Sequence, residues 1–294
     1  MAKKKKEPRI KRKTYIDTWR FLFQIGAFIA ILVNPFLNYY FHIKVIQGWY
    51  QSIAFGHLWF VSPLEGIEAL LITKIIYMPW IIGMSLPIVV ALLLGRVFCS
   101  WICPINFFYE IMDRIHKKIS KRSFYKRKPL FTLPRWMLWV ALVGELMLAM
   151  IVGKPIFVFL SPPGLVGREI MMAVFFHTLA LEGIIVLIVL TTYFISQRFF
   201  CQYFCPLGAL LAFIGAKRRL IIVQDMDTCH QCGFCDRACP WGIYPSRGEA
   251  ESIYCTNCGS CVAACPFNAR KFVFVGFTPS SAKLKLEKVS SGQN

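Results

Sequence analysis

Long apolar stretches alternate with short, cation-rich polar ones along most of the chain, and only after residue 220 does the sequence break into brief, turn-rich segments. Four stretches, 19–40, 75–95, 136–156 and 172–196, reach the roughly 20 residues a helix needs to cross a bilayer core. Each is expected to be a transmembrane helix, with Pro79 and Pro87 kinking the second. The cations then set an orientation. Residues 1–20 carry nine Lys and Arg, 96–135 carry ten and 198–219 carry four, whereas 41–73 hold only Lys44 and 153–171 only Lys154 and Arg168. By the positive-inside rule both termini face the cytoplasm, and the two cation-poor connections lie outside.

Composition agrees. Hydrophobic residues make up 56% of the 294 and charged ones 17%, which excludes an ordinary soluble domain and fits a multi-pass protein in contact with the lipid bilayer. The net charge of +19 comes from cations that flank apolar segments, so it reports topology and no nucleic-acid partner is expected. The apolar run after the basic start is long and lacks a small-residue cleavage site, so no removable signal peptide is expected. The twelve cysteines are spaced for metal ligation in a reducing compartment, not for disulfides.

The strongest chemical signal is Cys229-x2-Cys232-x2-Cys235-x3-Cys239-Pro240, repeated as Cys255-x2-Cys258-x2-Cys261-x3-Cys265-Pro266. This is the bacterial-type iron–sulfur run, in which three close cysteines hold one cluster and the fourth reaches the other. The rule assigns Cys229, Cys232, Cys235 and Cys265 to one 4Fe-4S cluster, and Cys255, Cys258, Cys261 and Cys239 to a second. Zinc ribbons also use CxxC pairs, but two complete four-cysteine runs, each closed by Cys-Pro, favour clusters.

A second repeat matches Arg96-Val-Phe-Cys99-Ser-Trp-Ile-Cys103-Pro104 with Arg198-Phe-Phe-Cys201-Gln-Tyr-Phe-Cys205-Pro206. Each copy follows an outside-to-inside helix and supplies two thiols. If the copies converge, Cys99, Cys103, Cys201 and Cys205 could hold a further metal centre. Otherwise they are reduced thiols packed beneath the cluster domain. Glu145, Glu182 and His177 fall within the apolar stretches, where ionisable groups are costly and become functional candidates. The alternative is that each stays neutral and bonds across helices. Haem needs a convergent axial pair, and only His177 lies at membrane depth, so no haem is expected.

The resulting fold class is a mostly α membrane protein with four transmembrane helices in two repeated hairpins, followed by a small α+β two-cluster ferredoxin domain. Its parts are a basic N-terminus (1–18), the membrane domain (19–220), the ferredoxin domain (221–277) and a disordered tail (278–294).

The two Arg-x-Phe-Cys-x3-Cys-Pro copies, the four spans, the double-cluster module and the segment Ser161-Pro-Pro-Gly-Leu-Val-Gly-Arg168 together resemble the NapH family of membrane ferredoxins, MauN-type proteins among them. The resemblance implies a quinol dehydrogenase component in the bacterial inner membrane. It would pass electrons from the quinone pool toward a periplasmic reductase such as nitrate reductase, through a NapG-like iron–sulfur partner. Glu145, Glu182 or His177 would accept the quinol protons. Two other functions compete: a membrane assembly or metal-reducing factor whose soft thiolates handle Cu(I), and a cluster-based redox sensor.

Overall fold

The computed structural model describes residues 14–41, 46–49, 52–55, 58–76, 78–120, 133–154, 161–178 and 183–276. The basic residues 1–13, Glu182, part of the cation-rich connection and the tail lie outside the described residues. Helix α1, Thr14–Phe41, includes the one described helical stretch long and apolar enough to cross a membrane, Tyr15–Tyr40. Helices α3 (Met78–Leu94) and α6 (Met137–Val152) are apolar but have 17 and 16 residues. Pro87 is interior to α3, whereas Pro79 sits in its first turn, where a missing N–H costs nothing, so only Pro87 can bend the helix.

The stretch 172–196 is not one helix. Helix α7, Pro162–Phe176, stops at His177, whose left-handed backbone (φ 52°) ends the hydrogen-bond ladder. A separate helix, α8 (Gly183–Thr191), resumes the apolar run and passes into a 3₁₀ turn, Thr192–Phe194. Hydropathy misplaced the start of α7 because Pro162 and Pro163 look like breakers. At the first helical positions proline is in fact preorganised.

The connection expected as an outer loop contains regular structure. Strands β1 (Ile46–Trp49), β2 (Ser52–Phe55) and β3 (Leu58–Val61) form an antiparallel sheet in that order, with Ile46 opposite Phe55 and Ser52 opposite Val61. Strand β3 runs along α3. Helix α2, Pro63–Thr73, follows. Short strands rich in apolar residues show no alternation, so periodicity alone could not find them. Ser62-Pro63 and Ser161-Pro162 open α2 and α7 alike, each with a buried serine at the N-cap.

The second repeat is visible in backbone geometry. Short helices α4 (Val97–Trp101) and α9 (Phe199–Tyr203) carry the first cysteine of each copy, and α5 (Pro104–Ser120) and α10 (Pro206–Ile214) begin at the prolines. The second cysteine lies at the break. Cys205 is extended there (φ −79°, ψ 106°), as a residue before proline must be.

The last module is closed by strands β4 (Leu220–Gln224) and β5 (Arg270–Phe274), antiparallel with Leu220 opposite Phe274. Between them lie α11 (Phe234–Ala238) and α12 (Ser260–Ala263), one inside each cysteine run. It docks directly on α1. A Cβ on Gly259 would come within 2.8 Å of Ile16 Cγ2, and the residue's φ of 77° independently demands glycine.

Candidate functional site

Each cysteine run folds around alternating left-handed residues: Gln231 (φ 48°) and Gly233 (φ 68°) in the first, Asn257 (φ 50°) and Gly259 (φ 77°) in the second. Such alternation turns successive backbone N–H groups toward one concavity, a nest suited to the negative sulfurs of an iron–sulfur site.

The two runs differ in depth. Cys239, Cys255, Cys258 and Cys261 are buried, and each interacts electrostatically with others of the four. They line one small enclosed pocket with Ile222, Trp241 and Ile243. Burial, reinforced by Cys258, pushes the Cys255 thiol up to about 11, and Cys239 and Cys261 rise for the same reasons. Thiolates therefore form here only beside compensating positive charge, which an iron core supplies. Among the described residues no three His, Cys, Asp or Glu side chains converge on a single-ion site. Cys229, Cys235 and Cys265 are only half-buried and Cys232 is exposed. Gln224 donates to Cys229 Sγ at 3.0 Å and accepts from Arg270 at 2.6 Å, tying this outer group to the β4–β5 pair.

The buried group is fastened to α1, α3 and α4 by hydrogen bonds. Arg20 donates to the Cys258 carbonyl (3.0 Å) and Ser260 Oγ (2.7 Å), and pairs with Glu110 (3.0 Å). Ser100 Oγ donates to the Thr256 carbonyl at 2.8 Å, and Asn257 Nδ2 to the Leu94 and Leu220 carbonyls at 2.8 Å each. Beneath lies a second charged cluster. Arg198, 1% exposed, reaches Asp113 at 2.7 Å, Asn106 at 2.8 Å and Glu110 at 3.3 Å. Burial alone would raise Glu110, but Arg20 and Arg198, aided by Lys117 and Arg114, hold it down at about 2.

The structure brings Cys99, Cys103, Cys201 and Cys205 together: all four are free thiols, and each interacts electrostatically with at least one of the others. Neither Glu145 nor His177 is among the groups that act on these thiols, and Glu182 lies outside the described residues. Glu145 lies on α6, partly buried, with Oε1 lacking a hydrogen-bond partner. His177 is exposed at the end of α7. Beside the thiols is an apolar cavity of about 290 Å³, lined by Ser62, Pro63, Pro87, Val90, Phe98, Ile102, Leu207 and Leu211. The buried Ser62 hydroxyl has no hydrogen-bond partner. Sequence reasoning missed Ser62, Arg20 and Glu110. The signal for Ser62 was its echo in Ser161-Pro162, and for Glu110 its amphipathic surroundings after Pro104.

Comparison with known proteins agrees with this chemistry. A model described as a 4Fe-4S binding domain matches twice, at residues 77–123 and 176–222, and a 4Fe-4S dicluster domain matches 221–266. The methylamine utilization ferredoxin-type protein MauN of Paracoccus denitrificans is 27% identical over 74% of this chain and 73% of its own length. The ferredoxin-type protein NapH of Escherichia coli is 25% identical over 74% and 71%. An uncharacterised protein of Methanocaldococcus jannaschii is 28% identical over 53% of this chain, a match spanning 63% of that relative. No solved structure matches. Fold and site thus define an iron–sulfur electron-transfer protein of ferredoxin type. Within that class the chain is similar to the ferredoxin-type proteins NapH and MauN.

Proposed function

We propose that the chain oxidises quinol in the membrane and passes the electrons through two 4Fe-4S clusters to a soluble redox partner. The observation that carries the reading is the 290 Å³ apolar cavity, whose wall includes Phe98, the chain neighbour of Cys99. It has the size and character of a small-molecule site, with one placed polar group, the Ser62 hydroxyl, to orient a ring oxygen. Outward-facing Leu22, Phe23, Ile82, Leu86, Val143, Ile151 and Leu187 form the kind of surface a bilayer covers. In this reading the membrane domain spans 19–220 with four crossings and the ferredoxin domain 221–277, with both termini cytoplasmic by the positive-inside rule.

Quinol oxidation releases two electrons and two protons. When bound, the clusters supply one-electron storage. The chain's own residues do the rest. Cys255, Cys258, Cys261 and Cys239 hold the buried cluster on the membrane side, and Cys229, Cys232, Cys235 and Cys265 hold the exposed one, where a NapG-like iron–sulfur partner can approach. The protons pass to a carboxylate, for which Glu145 and Glu182 are joined by Glu65, whose Oε2 is buried without a hydrogen-bond partner one turn along α2 from Ser62.

The test uses the full-length holoprotein in lipid, with a menaquinol analogue added and the clusters followed by electron paramagnetic resonance. Quinol should reduce them. Leu207→Trp, which fills the cavity, should slow reduction at least about tenfold while dithionite still reduces the clusters fully. Absence of reduction by menaquinol and ubiquinol analogues alike would overturn the reading.

A further inference from the structure

We propose that Arg20, on α1, is a positioning residue for electron transfer: through Ser260 it aims a hydrogen bond at the Cys258 sulfur and so raises the potential of the buried cluster. The inference rests on the eight C-terminal cysteines holding two clusters and not on quinol being the donor. Arg20 divides its buried guanidinium between two tasks. Nη2 meets carboxylates, Glu110 Oε2 at 3.0 Å and Asp17 Oδ1 at 3.4 Å. Nη1 faces the cluster loop, donating to the Cys258 carbonyl at 3.0 Å and to Ser260 Oγ at 2.7 Å. Ser260 Oγ in turn stands 3.7 Å from Cys258 Sγ. A metal-bound thiolate has no proton to give, so across that gap the hydroxyl is the donor. Its other acceptor among the described residues, Asp17 Oδ1 at 3.4 Å, is already engaged by Arg20.

The same device occurs at the exposed cluster, with a different origin. There Arg270 donates to Gln224 Oε1 at 2.6 Å, and Gln224 Nε2 donates to Cys229 Sγ at 3.0 Å. In each run one ligand sulfur is reached by a neutral group that a buried arginine holds in place, and both arginines are 3% exposed. The two runs are not copies in this respect, because Phe234, which has no hydroxyl, takes the place of Ser260 in the first. The outer arginine comes from the ferredoxin module itself, on β5, and the inner one from a helix long and apolar enough to cross a membrane. A hydrogen bond to a cluster sulfur, with a buried positive charge behind it, stabilises the form that carries the extra electron and raises the potential. The buried cluster therefore reaches its working potential only with the module seated on α1. An unseated module would be the poorer electron acceptor.

The experiment is a redox titration of the anaerobically purified, full-length holoprotein, with the clusters followed by electron paramagnetic resonance and iron counted on the same samples. Ser260→Ala removes the hydroxyl alone, Arg20→Met removes its holder and the charge, and Gln224→Leu marks the other cluster. Ser260→Ala should make the buried cluster about tenfold harder to reduce, a fall of about 59 mV for a one-electron couple, and Arg20→Met should lower it further. Arg20→Lys, which keeps the charge, should recover part of that loss. Gln224→Leu should move the exposed cluster's signal and leave this one in place. An unmoved potential in either Ser260→Ala or Arg20→Met, with iron content intact, would overturn the proposal and leave the two-cluster reading standing. So would Ser260→Ala and Gln224→Leu moving the same signal, which would mean a general loosening of the module. Fewer than about eight irons per chain in the unaltered protein would overturn the two-cluster reading and the proposal with it. If Arg20→Met fails to fold, Ser260→Ala decides alone.

Discussion

Arg96 and Arg198 hold the same place in two nearly identical motifs, and both are buried, yet their surroundings differ. Counted from the two Cys-Pro pairs, Asn106, Glu110 and Asp113 of the first copy stand opposite Gly208, Ala212 and Gly215 of the second. Each arginine reaches across to the helix of the other copy. Arg198 therefore meets a clamp of one amide and two carboxylates, while Arg96 meets the bare backbone of Gly208. The clamp also holds Arg198 in left-handed geometry (φ 57°), whereas in the first copy the left-handed position falls on Gly95 (φ 76°) and Arg96 is relaxed at φ −74°. One half of the repeat spends its buried charges on cohesion. The other leaves its arginine without a carboxylate partner among the described residues, over the Trp241 ring and beside Cys99.

That contrast breaks most visibly at Arg198. Arg198→Met leaves Asp113 without its guanidinium partner and Glu110 with one fewer, and should destabilise the holoprotein by about 3 to 5 kcal/mol. Detergent-solubilised protein would show this as a large fall in thermal midpoint, and an unchanged midpoint would refute the clamp. Glu110→Gln comes next, and its effect depends on pH. The folded carboxyl sits at about 2 against an ordinary 4.5. A lowered value contributes stability that is fully present above 4.5 and is lost as the pH falls toward 2. The wild type should therefore exceed the variant by about 3 kcal/mol at neutral pH. In denaturant unfolding followed by tryptophan fluorescence the gap should narrow below pH 4.5 and close near pH 2. A pH-independent gap would assign the loss to shape and not to charge.

Much of this was legible in the sequence, and the unread part has definite physical causes. The cysteine runs are readable because a cluster fixes ligand spacing to the residue. The prolines after Cys103 and Cys205 are readable because they act on the residue just before them. Arg20 could not be read: its partners Glu110, Ser260 and the Cys258 carbonyl are far away in the chain, and an arginine near the start of an apolar helix looks like an interfacial anchor. The α7–α8 break was hidden because hydropathy averages over His177, whose backbone alone ends the helix. The Gly208, Ala212 and Gly215 substitutions in the second copy were visible, but they mean something only once the arginines are seen to cross over.

Smaller effects test the unclamped half. Gly208→Ala places a methyl 2.8 Å from Arg96 Nη2, and the arginine is a long side chain that can yield, so the cost should be about 1 to 2 kcal/mol. A loss as large as that of Arg198→Met would show that Arg96 is gripped as firmly as its counterpart.

Arg96→Gln should change stability least, by under about 1 kcal/mol, because no carboxylate is left stranded. Its effect belongs in the redox potential instead. A reduced cluster carries one more negative charge than an oxidised one, so a buried cation beside it favours reduction and raises the potential. Removing Arg96 should lower the midpoint of the buried cluster, the one Cys255 helps to hold, by about 50 to 100 mV, the scale of one charge at moderate effective dielectric. Arg96→Lys, which keeps the charge, should recover most of it. Spectroelectrochemical titration of the two variants against the wild type measures both shifts. Equal potentials in all three would mean that Arg96, like Arg198, serves only to pack the two copies together.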